Sequence, residues 1–148
     1  MNKKVKNVQG CSYNGIDFKS QLERDTYIAL LEAGFNPEYE KRTYILQDTK
    51  HFPTLHYAPY KDRKLRQNVW GLNTYKMVSI KYKPDFTFYV KDKLIVIENK
   101  GYANDRYMYQ KKLLFKWLEE NQPNSAFFEI HNKKQLNKSI EILKEWKV

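Results

Sequence analysis

A chain of 148 residues with one cysteine has room for a single self-sufficient core and excludes an internal disulfide. No run approaches the roughly 18 apolar residues that a membrane-spanning helix needs, and the opening MNKKVKNVQG has no apolar segment behind its lysines. Neither a membrane anchor nor a secretory signal is therefore expected, and the expected compartment is the cytoplasm. The excess of 27 Lys and Arg over 17 Asp and Glu, a formal +10, favours a polyanionic partner with nucleic acid foremost, and 12 Tyr and 3 Trp add side chains that stack on bases.

No repeat, low-complexity tract or Pro/Gly/Ser linker divides the sequence, so one domain over 1–148 is expected. Residues 1–12 read as a polar, frayed end within reach of nucleic acid. Over 20–33, apolar Leu22, Tyr27, Leu30 and Ala33 recur at helical spacing and Gly34 supplies the stop. Residues 38–46 alternate and are rich in Tyr, Thr and Ile, as a half-buried strand should be. Between 47 and 75 the prolines Pro53 and Pro59, Gly71 and several Asn and Asp residues suggest an irregular insertion, with a short strand around 68–70.

Three strand-like runs follow at 77–82, 86–90 and 94–100, the last two joined by a tight turn at 91–93. A helix over 104–121 carries Tyr107, Leu114, Trp117 and Leu118 on one stripe, with Asn104 or Asp105 as its cap. A short apolar strand at 126–130 and a last helix at 133–146 complete the order αβββαβα.

The chemistry sits in the hairpin of 86–90 and 94–100. Pairing about a turn between Lys91 and Asp92 sets Phe86 opposite Ile97 and Phe88 opposite Ile95, and brings Asp85 opposite Glu98. Strand alternation then puts Lys100 on the same face as both carboxylates. Two buried carboxylates side by side cost several kcal/mol unless a cation compensates. Oxygen-only ligands suit Mg²⁺, which takes one or two carboxylates and keeps several waters. Beside such an ion Lys100 can orient a water or offset charge on a pentavalent phosphorus. Separately, Lys61, Arg63, Lys64 and Arg66, interleaved with Tyr57, Tyr60 and Trp70, can grip a DNA backbone. The histidines 51, 56 and 131 show no zinc spacing with Cys11, and no phosphate-binding glycine loop is present.

Pro84-Asp85, twelve intervening residues, then Glu98-Asn99-Lys100 resembles the PD-(D/E)XK nuclease superfamily over about residues 18–130. The layout is similar to that of small phage-encoded endonucleases, including the Holliday-junction-resolving endonuclease I group. The resemblance implies an α/β fold with an αβββαβ restriction-endonuclease-like core, in which a central mixed sheet is flanked by helices and a C-terminal helix is added. It implies a metal-dependent endodeoxyribonuclease, with branched or nicked DNA, a single strand and a specific site all open as its substrate, in which Asp85, Glu98 and the backbone carbonyl of Asn99 hold Mg²⁺, Mn²⁺ substitutes, and Lys100 serves the attacking water.

It further implies a metal role for Glu23 on the first helix, although Ser20-x-x-Glu23 also reads as a helix-capping box. Arg106, Lys111 and Lys112 on the helix after the motif match the place where similar nucleases approach the scissile phosphate. Asn99 departs from the family, which more often has an apolar residue there. A phage-encoded chain would work in the cytoplasm of its host. Two other readings stay open at this level: a non-catalytic nucleic-acid-binding module, and a cutting subunit that needs a partner within a larger phage or recombination complex. Resolution of a junction would imply a homodimer, since two strands are cut symmetrically.

Overall fold

A computed structural model describes residues 10–148. The expectation for residues 1–9 falls outside them, but residues 11 and 12 are not frayed. Strands β1 (Cys11–Tyr13) and β2 (Ile16–Phe18) form a hairpin about Asn14-Gly15, where φ is 53° and 77°. Asn-Gly favours this doubly left-handed turn, and Phe18, fully buried, pins the hairpin to the core. Helix α1 (Gln21–Glu32) starts on Ser20, whose Oγ accepts the Glu23 N–H at 3.1 Å. It buries the stripe Glu23, Thr26, Tyr27 and Leu30, and Gly34 follows it at φ 81°.

The single strand expected over 38–46 is broken in two, β3 (Glu38–Tyr39) and β4 (Tyr44–Gln47). The break comes where Glu40 turns left-handed (φ 45°), its N–H still donating to the carbonyl of Asp85 at 2.8 Å one step on in the β3–β8 register. The insertion over 47–75 is not irregular. Strands β5 (Lys50–Asp62) and β6 (Gln67–Met77) pair antiparallel over eleven cross-strand pairs, and the short strand expected at 68–70 lies inside β6. Pro53 falls in the bulge between Phe52 and Leu55. Both strands of a two-stranded ribbon are edges, so Pro59 is tolerated as well. The run expected at 77–82 is likewise divided, with Met77 ending β6 and β7 spanning Ile80–Tyr82. Strands β4 and β7 pair with each other.

The remaining elements are β8 (Phe86–Val90), β9 (Lys93–Asn99), α2 (Asp105–Asn121), β10 (Ser125–Ile130) and α3 (Lys133–Lys147). The chain forms two compact units: residues up to Tyr44 together with Tyr82–Val148, and Ile45–Lys81.

The first unit is mixed α/β, built on a four-stranded sheet of order β10-β9-β8-β3. Strand β8 runs antiparallel to both β3 and β9, while β10 lies parallel to β9 because α2 carries the chain back across the sheet. One face presents Phe86, Phe88, Val90, Ile95 and Ile97 to Phe18, Tyr27, Leu30, Phe35, Leu136 and Leu143, which form the core with α1 and α3. On the other face Tyr107 and Phe115 of α2 reach Glu129 and Phe127 of β10. None of the helices of the described residues is long and apolar enough to cross a membrane.

Candidate active site

The β8–β9 ladder has the register Phe86↔Ile97, Thr87↔Val96, Phe88↔Ile95 and Tyr89↔Leu94. One step beyond its end, the Asp85 side chain takes over from the backbone: its Oδ2 accepts the Asn99 N–H at 2.7 Å. That bond locks Asp85 beside Glu98. Glu98 accepts a hydrogen bond from the Tyr82 hydroxyl at Oε2 (2.6 Å), and its Oε1 lies 3.2 Å from the Lys100 ammonium. Lys100 in turn sits 4.7 Å above the Tyr107 ring, so an aromatic face and a carboxylate hold one cation between them.

Glu23 reaches the same region from α1. Its Oε2 accepts from the Tyr39 hydroxyl at 2.5 Å and from the Lys19 N–H at 3.3 Å. Ser20 caps the backbone of Glu23, but the Glu23 carboxylate reaches back to Lys19 rather than to Ser20, so cap and inward-facing acid coexist in one residue. Asp85, Glu98 and Glu23 are 6–8% exposed. Burial pushes the Asp85 carboxyl well above the usual carboxylate range, and the charges of Glu98 and Glu23 push it further, against the opposing pull of the Asn99 N–H and Lys100. Burial likewise raises the Tyr82 phenol, as does the adjacent Glu98 charge, so it stays a hydrogen-bond donor. Asn99 points to the opposite face, where its Nδ2 donates to Thr26 Oγ1 at 2.8 Å and its Oδ1 is buried without a partner.

A second polar network adjoins the first through β10, where Glu129 stands level with Glu98. The Tyr107 hydroxyl donates to Glu129 Oε1, Lys111 Nζ lies 3.1 Å from the same oxygen, and His131 Nε2 is 2.8 Å from Oε2. Burial works against the Glu129 charge, but the hydrogen bonds from His131, Tyr107 and Lys111 outweigh it and hold the carboxyl well below its ordinary value. Lys111 is thus tied beside the carboxylate cluster, whereas Lys112 lies 5.8 Å from the Tyr109 ring and Arg106 is exposed. Lys61, Arg63, Lys64 and Arg66 are exposed at the turn that joins β5 to β6, in the other unit.

Asp85, Glu98 and Lys100 are therefore brought together, and Glu23 lies near enough for its charge to act on Asp85. Tyr82, Tyr39, Tyr107 and Glu129 are additional members that sequence reasoning missed. Only Glu129 left a signal: aligning the apolar run before it with that before Glu98 sets the two acids level.

Among the described residues no group of three or more His, Cys, Asp or Glu side chains is placed to hold a metal ion. The donors fit instead the sparse mode in which Mg²⁺ takes one or two carboxylates and retains its waters. Three buried acids with Lys100 as the adjacent ammonium leave negative charge that a divalent cation would balance.

The raised Asp85 carboxyl predicts the pH dependence of stability without metal. Its value of about 8 in the fold exceeds the ~3.9 of an unfolded chain, so its contribution is complete below about pH 4 and is lost as pH rises toward 8. In EDTA the Tm is expected to fall between pH 5 and pH 9, and Asp85→Asn to flatten that fall. A parent Tm that rises over this range would contradict the assignment.

Comparison with known protein families, curated proteins and solved structures gives no match to this chain.

Proposed function

We propose that the chain is a metal-dependent endodeoxyribonuclease with a PD-(D/E)XK-type core, hydrolysing DNA phosphodiester bonds, structure-specific in its choice of substrate. The observation that carries this reading is the convergence of buried Asp85 and Glu98 with Lys100 at the end of one hairpin. A structural ion pair needs one acid for one base. Here Asp85 is held beside Glu98 at a cost in mutual repulsion, with Glu23 adding to it, which is the arrangement expected where a divalent cation is to be held.

Asp85 and Glu98 would hold Mg²⁺ or Mn²⁺, with the Asn99 carbonyl and Glu23 as further donors. When bound, the ion supplies Lewis-acid polarisation of a phosphate and a water of lowered pKa. The chain's own residues do the rest. Tyr82 fixes the Glu98 carboxylate through its hydroxyl. Lys100, steadied by Glu98 and the Tyr107 ring, orients a water at its ammonium and stabilises charge growing on the phosphoryl oxygens. Lys111, Lys112 and Arg106 offer cationic contacts for the DNA backbone.

The test is nicking of supercoiled plasmid by the purified chain alone. Cleavage is expected with Mg²⁺ or Mn²⁺ and none in EDTA, whereas Ca²⁺ is expected to support DNA binding without turnover because it accepts looser geometry and acidifies its water less. Undiminished cleavage in EDTA would sink the metal assignment. DNA binding without cleavage in any metal would favour the non-catalytic module or the partner-dependent subunit.

A further inference from the structure

The β5–β6 ribbon has two unlike faces. Cross-strand pairs share a face, so the pairs Ala58↔Gly71 and Tyr60↔Val69 lie on one side and Leu55↔Thr74, Tyr57↔Leu72 and Pro59↔Trp70 on the other. The first side is partly covered by its own rings, which leaves Tyr60 and Tyr75 44% and 46% exposed. The Tyr60 ring lies over Gly71 so closely that a Cβ there would stand 2.6 Å from it, and the His56 ring packs edge-on against Tyr75 at 5.4 Å. The second side is open: Leu55, Tyr57, Trp70 and Leu72 are 60–67% exposed, with the Tyr57 and Trp70 rings adjacent at 5.5 Å.

Charge narrows the choice of what covers this face. Between 45 and 81 seven basic residues stand against two acidic ones, so a quarter of the chain carries +5, half of the total +10. At the tip Asp62 Oδ1 accepts the N–H groups of Lys64 (2.8 Å) and Leu65 (3.0 Å), and Arg66 is left-handed at φ 54°, so a built turn presents Arg63, Lys64 and Arg66 together. A second copy of the ribbon would bring like charge against like charge. A polyanion would not, and open aromatic rings beside cations suit one whose bases are accessible. Paired bases in a duplex show only their edges, which offer little to an apolar face; unpaired bases offer their flat faces.

We propose that the open face of the ribbon is a stacking platform for unpaired nucleobases, with Tyr57 and Trp70 as the stacking rings and the basic tip on the phosphates. The DNA recognised then carries a single-stranded or flayed segment. This rests on the nuclease reading for the polymer being DNA.

The experiment measures affinity of the full chain for oligothymidylate and for a blunt duplex of equal length, in EDTA, for the parent, Trp70→Phe, Trp70→Leu and Tyr57→Leu. Stacking predicts that both Leu variants lose about ten- to a hundredfold in oligothymidylate affinity. Trp70→Phe stays within about twofold, since every aromatic face can stack, and duplex affinity is unchanged in all. Thermal melting checks that each variant is folded, and parental oligothymidylate binding by folded Tyr57→Leu decides against stacking if Trp70→Leu does not fold. Parental oligothymidylate binding by folded Trp70→Leu overturns the proposal, as does equal loss of both DNAs. A parent dimer that Trp70→Leu dissociates without change in oligothymidylate binding also overturns it, and assigns the face to a second copy. Because cleavage plays no part in these measurements, absence of Mg²⁺-dependent nicking would remove the nuclease reading and leave the platform standing.

Discussion

Replacing Asp85 by asparagine is expected to lower Mg²⁺-dependent cleavage about a thousandfold, the equivalent of ~4 kcal/mol of transition-state stabilisation. The substitution keeps the shape of the side chain and leaves an oxygen to accept the Asn99 N–H that fixes it. What it removes is one of the charges proposed to hold the metal. The fold should survive and gain: burial and the neighbouring Glu98 and Glu23 carboxylates disfavour charge at this position, so without metal and at pH 8 the variant should melt several degrees above the parent. DNA affinity should hold or rise, because a negative charge facing phosphate is gone. Nicking rate, Tm and affinity are measured side by side. Near-parental cleavage would refute the catalytic assignment, and joint loss of fold and cleavage would favour a structural ion-pair network.

Lys100→Met is expected to lower cleavage by about 10²- to 10³-fold, the range found when one donor aimed at developing charge is removed. Its ammonium lies against Glu98 Oε1 and over the Tyr107 ring, and a methionine keeps most of the stem that packs there. Removing a cation from beside two acids should also strengthen metal binding, so the Mg²⁺ concentration giving half-maximal rate should fall while the maximal rate collapses. Lys100→Arg retains charge but replaces a compact ammonium with a planar fork, and partial recovery is expected. A drop in DNA affinity as large as the drop in cleavage, with an unchanged Mg²⁺ midpoint, would mark Lys100 as a phosphate contact only.

The pairing of β8 with β9 was legible because a two-residue alternation and a short turn leave one register that buries Phe86, Phe88, Ile95 and Ile97 together. That register alone brings Asp85 up to Glu98 and puts Lys100 on their face. The ends of α1 were equally local, a serine cap and a left-handed glycine. The Asn14-Gly15 hairpin carries a local turn signal too, set among polar residues that by composition alone suggest a frayed end. The ribbon over 50–77 was misread because prolines and glycine count as breakers in a packed sheet, whereas a two-stranded ribbon leaves half of its backbone groups to water.

Sequence by itself determined what depends on neighbours in the chain: periodicity, caps, turns, the excess of positive charge, and the meeting of two acids and a lysine across one hairpin. Only the tertiary structure decided that Glu23 turns inward to Tyr39, that the hydroxyls of Tyr82 and Tyr107 hold Glu98 and Glu129, and that Asp85's carbonyl takes the N–H of Glu40. Each joins residues 16 to 45 positions apart on different elements. Which buried polar group meets which is set by how helices and strands pack, and no local pattern encodes it.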